Sequence, residues 1–183
     1  MFKVGFGYDS HRFAKDRKLF LGGVEIESDF GLQGHSDADV LLHALMDALL
    51  GSVGSGDIGS HFPDDDPQYK NISSLKLLTE VKKEVEIRNY VINNCDLVIV
   101  AEKPKLKPYR SQILTSIADS LNLEQKDINF KATTNEKMGF TGRGEGMAAY
   151  AVVSVVEKEL WQFFKKVNRK GVLDDVSKEY NDK

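Results

Sequence analysis

Asp37-Ala38-Asp39-Val40-Leu41-Leu42-His43-Ala44-Leu45-Met46-Asp47-Ala48-Leu49-Leu50 is the stretch that decides the fold. Val40, Leu41, Ala44, Leu45, Ala48 and Leu49 recur at i, i+1, i+4, i+5, i+8 and i+9, the pattern of a helix with one buried face. Ser36 or Asp37 suits its N-cap, and Gly51 suits its end. Asp39, His43 and Asp47 lie one turn apart on a stripe separate from the apolar seam. Such a helix can pack one side and offer His43 from another.

Before this helix, Phe2 to Asp9 alternates as a strand, and Lys18 to Ile26 reads as a hairpin turning at Gly22-Gly23. After it, Gly51 to Asn71 is rich in Gly, Ser, Asp and Pro, a long loop of the kind that usually carries function. A helical period returns over Ile72 to Ile87, and Tyr90 to Ala101 reads as a strand. Pro108 fits the first turn of a helix carrying Ile113, Leu114, Ile117, Ala118 and Leu121. Two more strands, Asp127 to Thr133 and Ala148 to Val156, look antiparallel and are joined by the Gly-rich run Met138 to Gly146. The alternation is irregular, so the expected class is α+β, a small mixed sheet with helices packed on one face. The other face also needs cover, which a homo-oligomer would give.

The 183 residues suit one domain. No apolar run approaches bilayer length, and strand-like alternation begins at Phe2, so neither a membrane span nor a targeting segment is expected. The expected setting is cytoplasmic, or an organelle if a transit peptide has been removed. A formal charge of -3, with no sustained basic stretch in the first 150 residues, argues against a nucleic-acid partner. The single cysteine, Cys95, excludes an internal disulfide and a thiolate zinc knot.

All four histidines, His11, His35, His43 and His61, fall in the first third of the chain among aspartates, a mixture that suits a divalent metal or a phosphate. Asp9 and His11, at i and i+2 of a strand, leave the same face. With His43 they make a three-ligand set that leaves a metal such as zinc an open position, and Asp47 is the expected partner that orients a ligating histidine. The same spacing also fits a capped strand end and a surface helix histidine. Gly34-His35-Ser36-Asp37 precedes the helix and offers backbone N–H groups to an anion, or is simply a capped helix start. Thr133-Thr134-Asn135-Glu136 offers hydroxyls and a carboxylate for phosphate and a hard cation, or is an ordinary turn. Arg143, among four glycines in nine residues, can bind an anion or pair with Glu145. Pro104 to Pro108 can be a rigid loop around a base or a connector.

Taken in order, Gly5 to Phe13, His35 to Ala44, Gly56 to Gly59 with Phe62 to Pro67, and Lys131 to Gly146 resemble the cyclodiphosphate synthase family of non-mevalonate isoprenoid biosynthesis. The resemblance covers about residues 1 to 158 and implies a lyase forming 2-C-methyl-D-erythritol 2,4-cyclodiphosphate and CMP from a cytidine diphosphate substrate. It further implies a ferredoxin-like arrangement, a homotrimer and active sites at subunit interfaces. Asp9, His11 and His43 then match zinc ligands, and Glu136 matches the site of a second ion, Mg²⁺ or Mn²⁺. His35 and Ser36, with Thr133 and Thr134, match groups that hold the diphosphate, His35 and Thr134 in the catalytic role. Asp57, Ile58 and Gly59 match ribose contacts, and Ala101, Pro104, Lys105, Leu106 and Lys107 with Thr133 match the cytidine pocket. Phe62, Asp64 and Asp66 match the methylerythritol side. Asp9, His11, Asn135 and Glu136 match further substrate contacts, and Phe140 and Arg143 match substrate or central-channel contacts. Asn135 and Asp65 stand where a hydroxyl residue is more usual. Residues 159–183 extend beyond the usual family length, and Leu160, Phe163, Phe164 and Val167 space a further helix there, while the segment after Asn168 reads as helical or disordered. A zinc-dependent nucleotide phosphohydrolase and a non-enzymatic nucleotide-binding trimer are the rival readings.

Overall fold

A computed structural model describes residues 1–63, 65–69 and 72–169. Seven strands and six α-helices alternate as β1 (Phe2–Ala14), β2 (Leu19–Leu21), β3 (Val24–Ile26), β4 (Gly31–Leu32), α1 (Val40–Ser52), α2 (Ile58–His61), α3 (Ser74–Ile87), β5 (Tyr90–Val100), α4 (Arg110–Leu121), β6 (Ile128–Thr133), α5 (Gly139–Gly142), β7 (Gly146–Glu157) and α6 (Lys158–Arg169). Five strands form one sheet in the order β4-β1-β7-β5-β6, and β2-β3 is a separate hairpin. Only β5 and β6 pair in parallel, across the α4 crossover, so the sheet is mixed. β6 and β7 run in opposite directions as read from the sequence, but β5 lies between them.

α1 lies against β1, β7 and β5, with α3 beside it and α4 beyond, so the helices cover one face as expected. Two glycines set the depth of this packing. A Cβ on Gly5 would sit 1.8 Å from the Ala48 carbonyl oxygen, and one on Gly7 would sit 1.9 Å from that of Ala44. The helix backbone thus rests directly on the strand, which no larger residue would allow. Leu42 and Met46 are as buried as the predicted seam, because the hairpin and α3 enclose the helix from its other sides. A helix apolar nearly all round belongs inside a domain.

The helix starts later than expected. Asp39, and neither Ser36 nor Asp37, caps α1 by accepting the Leu42 N–H at 3.1 Å. Its carboxylate also accepts the Gly22 and Gly23 N–H groups at 3.0 and 2.7 Å, so one fully buried side chain ties the β2–β3 turn to the helix start. Both turn glycines have positive φ, the conformation that a two-residue hairpin turn needs. α1 also runs past Gly51 to Ser52. Among its described residues, the long loop after it contains α2 and a 3₁₀ turn over Pro67–Tyr69.

On the opposite face of the sheet, Phe2, Val4, Phe6 and Tyr8 of β1 and Tyr150 and Val152 of β7 are exposed together. Phe164 of α6 reaches Phe2, with ring centroids 6.4 Å apart. Among the described residues no helix is long and apolar enough to cross a membrane.

Candidate metal centre and anion site

β1 passes Gly7 and then presents Asp9 and His11 on the same helix-covered face, while α1 presents His43 immediately before Ala44, its contact with Gly7. The close packing therefore brings the three side chains together. Asp9 Oδ2 lies 3.0 Å from His11 Nε2 and 3.0 Å from His43 Nδ1, and the two nitrogens are 3.1 Å apart. Tetrahedral zinc with ligands at about 2.0–2.1 Å requires ligand–ligand edges of about 3.3 Å. One carboxylate and two imidazoles already at nearly this spacing fit such an ion, with a coordination position left for another ligand. Among the described residues this is the one group of three or more such side chains close enough to share a metal.

Burial alone would raise the Asp9 carboxyl, but hydrogen bonds from His11 and His43, with their charge, hold it well below the usual carboxylate range. For His43, burial disfavours the cation, yet Asp9, with Asp39 and Asp37, raises its pKa on balance. Protons and a metal ion thus compete for the same corner.

The residue expected to orient a histidine does something else. Asp47 Oδ1 accepts the Ile58 N–H at 2.8 Å and fixes the start of α2, so it is not a histidine partner. Its carboxyl is raised chiefly by burial. The hydroxyls of Ser36 and Ser74 approach His43 Nε2 instead, at 3.2 and 3.1 Å. Ser74 had no signal in the sequence beyond its place at a helix start, since nothing local ties it to residues more than thirty positions earlier.

A cavity of about 210 Å³ opens beside the three ligands and is lined also by His35, Ser36, Ile58, Gly59, Phe62 and Tyr69. His35 Nε2 is buried without a hydrogen-bond partner, an unmet donor or acceptor that a phosphoryl oxygen would satisfy. The loop bearing it is clamped by Arg17, whose guanidinium donates to the Gly34 and Ser36 carbonyls at 2.7 Å each. Sequence reading missed Arg17, because a lone arginine before a hairpin carries no motif. Asp57 caps α2 by accepting from Ser60, which places Gly59 at the cavity rim and holds the Asp57 carboxyl low. His61 bonds the Ser55 carbonyl and stands outside the cavity lining. Asp66 starts the 3₁₀ turn by accepting from Gln68, and Asp64 lies outside the described residues.

A second cavity, of about 460 Å³, is lined by Ala101, Pro104, Lys105, Leu106, Lys107, Thr133 and Thr134, together with Ile99, Glu102, Arg110, Phe130 and Ala132. Every residue of the 101–107 segment except Lys103 thus meets the two threonines there, and this cavity shares no lining residue with the metal cavity. Glu102, within the segment expected at the cytidine pocket, accepts the Asn135 and Lys137 N–H groups at 3.1 Å and shapes the loop after β6. Glu136 is exposed, accepts the Thr134 hydroxyl at 2.6 Å and lies outside the Asp9–His11–His43 cluster of its own chain. Asn135 donates to the Met138 carbonyl, Phe140 is partly exposed on α5, and Arg143 pairs with Glu145 at 2.6 Å.

The fold and site together define an α+β protein with a candidate metal corner, a buried unpartnered histidine in the loop beside it and a separate, largely apolar recess. Residues 2–156 match the YgbB family model, and the chain belongs to that family. It is 56% identical over 153 residues to the 2-C-methyl-D-erythritol 2,4-cyclodiphosphate synthase of Lachnospira eligens, covering 84% of each chain. Among solved structures it is similar to the bifunctional IspDF from Campylobacter jejuni, with a TM-score of 0.83 and 43% identity, covering 86% of this chain and 42% of that longer one. It is also similar to the CDP complex of IspF from Plasmodium falciparum, with a TM-score of 0.75 and 31% identity, covering 86% and 97%.

Proposed function

We propose that this chain converts 4-diphosphocytidyl-2-C-methyl-D-erythritol 2-phosphate to 2-C-methyl-D-erythritol 2,4-cyclodiphosphate and CMP. The observation that carries this reading is the triangle of Asp9, His11 and His43 beside the unpartnered His35 Nε2, in a chain so similar to named synthases. The relatives' names favour cyclisation over the phosphohydrolase and the non-enzymatic readings.

An oxygen of the 2-phosphate attacks the β-phosphorus, the bond from that phosphorus to the oxygen bridging to the α-phosphate breaks, and the bridging oxygen leaves with CMP. The monoester is already largely ionised, with a second pKa of about 6, so no strong base is needed. The obstacle is the meeting of two anions and the charge that builds on the phosphoryl oxygens. Asp9, His11 and His43 would hold a divalent ion, taken as Zn²⁺, and Glu136 would hold a Mg²⁺ or Mn²⁺ ion; when bound, these would supply Lewis acidity and positive charge to the phosphoryl oxygens. His35 Nε2–H and the Thr134 hydroxyl donate to the oxygens that gain charge, while Ser36 and Thr133 hold the diphosphate. Asp57, Ile58 and Gly59 take the ribose, and Phe62, Asp64 and Asp66 flank the methylerythritol. Ala101, Pro104, Lys105, Leu106 and Lys107 receive the cytosine, and Asn135, Phe140 and Arg143 complete the substrate contacts. Holding both reacting ends of one molecule supplies proximity.

The two cavities on one chain share no residue, and Phe2, Val4, Phe6, Tyr8, Tyr150 and Val152 leave a run of large hydrophobic side chains exposed on one sheet face, the kind of patch that marks an interaction surface. Both observations favour a homotrimer in which the metal cavity of one subunit and the cytidine recess of its neighbour serve one substrate. Residues 1–158 form the catalytic domain in this reading, and residues 159–183 are an extension. Incubation with substrate followed by ³¹P NMR tests the reaction: a ring diphosphate with CMP is expected, and an acyclic product with two phosphate ends would reject it. His43→Ala is expected to lose both bound zinc and CMP release, and normal turnover without zinc would remove the metal from the reading.

A further inference from the structure

The loop after β6 carries two groups that the proposed chemistry needs, the Thr134 hydroxyl and the Glu136 carboxylate, joined at 2.6 Å. Burial does little to hold them, since Thr134, Glu136, Lys137 and Met138 are exposed and Asn135 is half-buried. Glu136 and Lys137 also take positive φ, 49° and 62°, a left-handed conformation that residues other than glycine keep only when their surroundings impose it. Contacts from two sides impose it here. On one side α5 backs the loop, because a Cβ on Gly142 would fall 2.2 Å from the Lys137 carbonyl carbon. On the other, Glu102 Oε1 accepts the Asn135 and Lys137 N–H groups at 3.1 Å each, the two amides that flank Glu136. Backbone N–H groups converging in this way form a concavity for an anion, and the anion that fills it is the protein's own carboxylate.

The sheet sets where Glu102 stands. Its neighbour Ala101 donates its N–H to the Thr133 carbonyl at 3.0 Å, which carries the β5–β6 pairing one step past Val100 and Thr133. Glu102 in turn sets where the amides around Glu136 stand, and it also lines the recess of the 101–107 segment beside Thr133 and Thr134. We infer that Glu102 is a positioning residue for the phosphoryl transfer: it locks the Thr134–Glu136 loop to the edge of the cytidine recess, so that a seated base fixes where the diphosphate meets those groups. With Oε1 turned to the two loop amides, Glu102 acts through the loop and not on the substrate. This inference rests on reading residues 101–107 as the cytidine pocket and Thr134 and Glu136 as groups that meet the diphosphate.

Glu102→Ala removes the acceptor, whereas Glu102→Gln keeps an oxygen that can accept both N–H groups. Amide hydrogen exchange of the ligand-free proteins, read by mass spectrometry on the peptide spanning residues 133–138, reports the loop, and urea unfolding reports global stability. Calorimetric titration with cytidine reads the recess alone, and titration with CDP adds the diphosphate contacts. Glu102→Ala is expected to exchange faster in that peptide, to bind cytidine as the parent does and to bind CDP about tenfold more weakly, the loss of one contact to a charged group. Its kcat should fall about 10²-fold, more than KM rises, as misplaced reacting groups would cause. Glu102→Gln should recover most of each property. Parent-like exchange or parent-like CDP affinity in Glu102→Ala would overturn the inference. So would an equal loss of cytidine and CDP affinity, which would make Glu102 a direct contact of the base, or a Gln variant as defective as the Ala variant. A parent that binds CDP but does not convert the substrate would overturn the reaction instead, while exchange and CDP affinity would still decide the role of Glu102.

Discussion

Gly7→Ala should damage the metal corner without touching a ligand. Its Cβ would fall 1.9 Å from the Ala44 carbonyl oxygen, where real Cβ contacts essentially never come under 3.0 Å. Strand and helix must therefore separate by at least about 1.1 Å at that point. His43 precedes Ala44, and Asp9 lies two residues beyond Gly7 in the strand. If most of the opening passes into the His43–Asp9 gap, the present 3.0 Å becomes about 4 Å, beyond the roughly 3.3 Å edge that a tetrahedral ion accepts. Overpacking of this kind costs about 1–3 kcal/mol of stability, and the ligand displacement adds a separate loss of zinc affinity. Gly5→Ala is the comparison, because its clash, 1.8 Å from the Ala48 carbonyl, lies more than a turn from His43. Urea unfolding with a chelator present reads the first cost, and zinc competition on the folded proteins reads the second. The expected result is a similar stability loss in both variants and a zinc defect at least tenfold greater in Gly7→Ala. Parent-like zinc affinity in Gly7→Ala, or equal zinc defects in the two variants, would refute the argument that this glycine sets the ligand spacing.

Other outcomes follow from the same packing. Gly51→Ala should stabilise the chain by about 0.5–1 kcal/mol in urea, since the site is helical and a Cβ there meets nothing within 4 Å. Asp39→Ala should cost about 2–4 kcal/mol in the same assay, because it removes a helix cap and strands the Gly22 and Gly23 N–H groups in the interior. Cys95, its thiol pushed up to about 12 by burial, should resist an exposed-thiol reagent at neutral pH until the protein unfolds, and fast modification of the native protein would contradict its place in the core. Arg17→Ala should raise KM or lower kcat through a loosened His35 loop while leaving zinc stoichiometry unchanged, as measured by turnover beside metal analysis. Loss of zinc in that variant would mean that the clamp serves the metal corner instead.

Most of the architecture was legible because its determinants are local. The 3.6-residue period of Val40 to Leu49 and the alternation of Phe2 to Asp9 each report a face, and a face is what packing uses. The i, i+2 spacing of Asp9 and His11 placed two ligands together for the same reason. What the periodicity left open was sheet order and neighbours: nothing in Ala148 to Val156 says that it threads between β1 and β5. The assignments that shifted were side chains whose partners come from distant segments. Asp47, on the same stripe as His43, faces Ile58, and Asp39 is taken by a hairpin turn sixteen and seventeen residues earlier. Gly7 shows why the two kinds of information are linked. In the sequence it is only a missing side chain within an alternating strand, but in three dimensions that absence lets the helix descend far enough for His43 to meet Asp9. A strand pattern with Ala at this position would predict the same elements in the same order, and the ligands would stand apart.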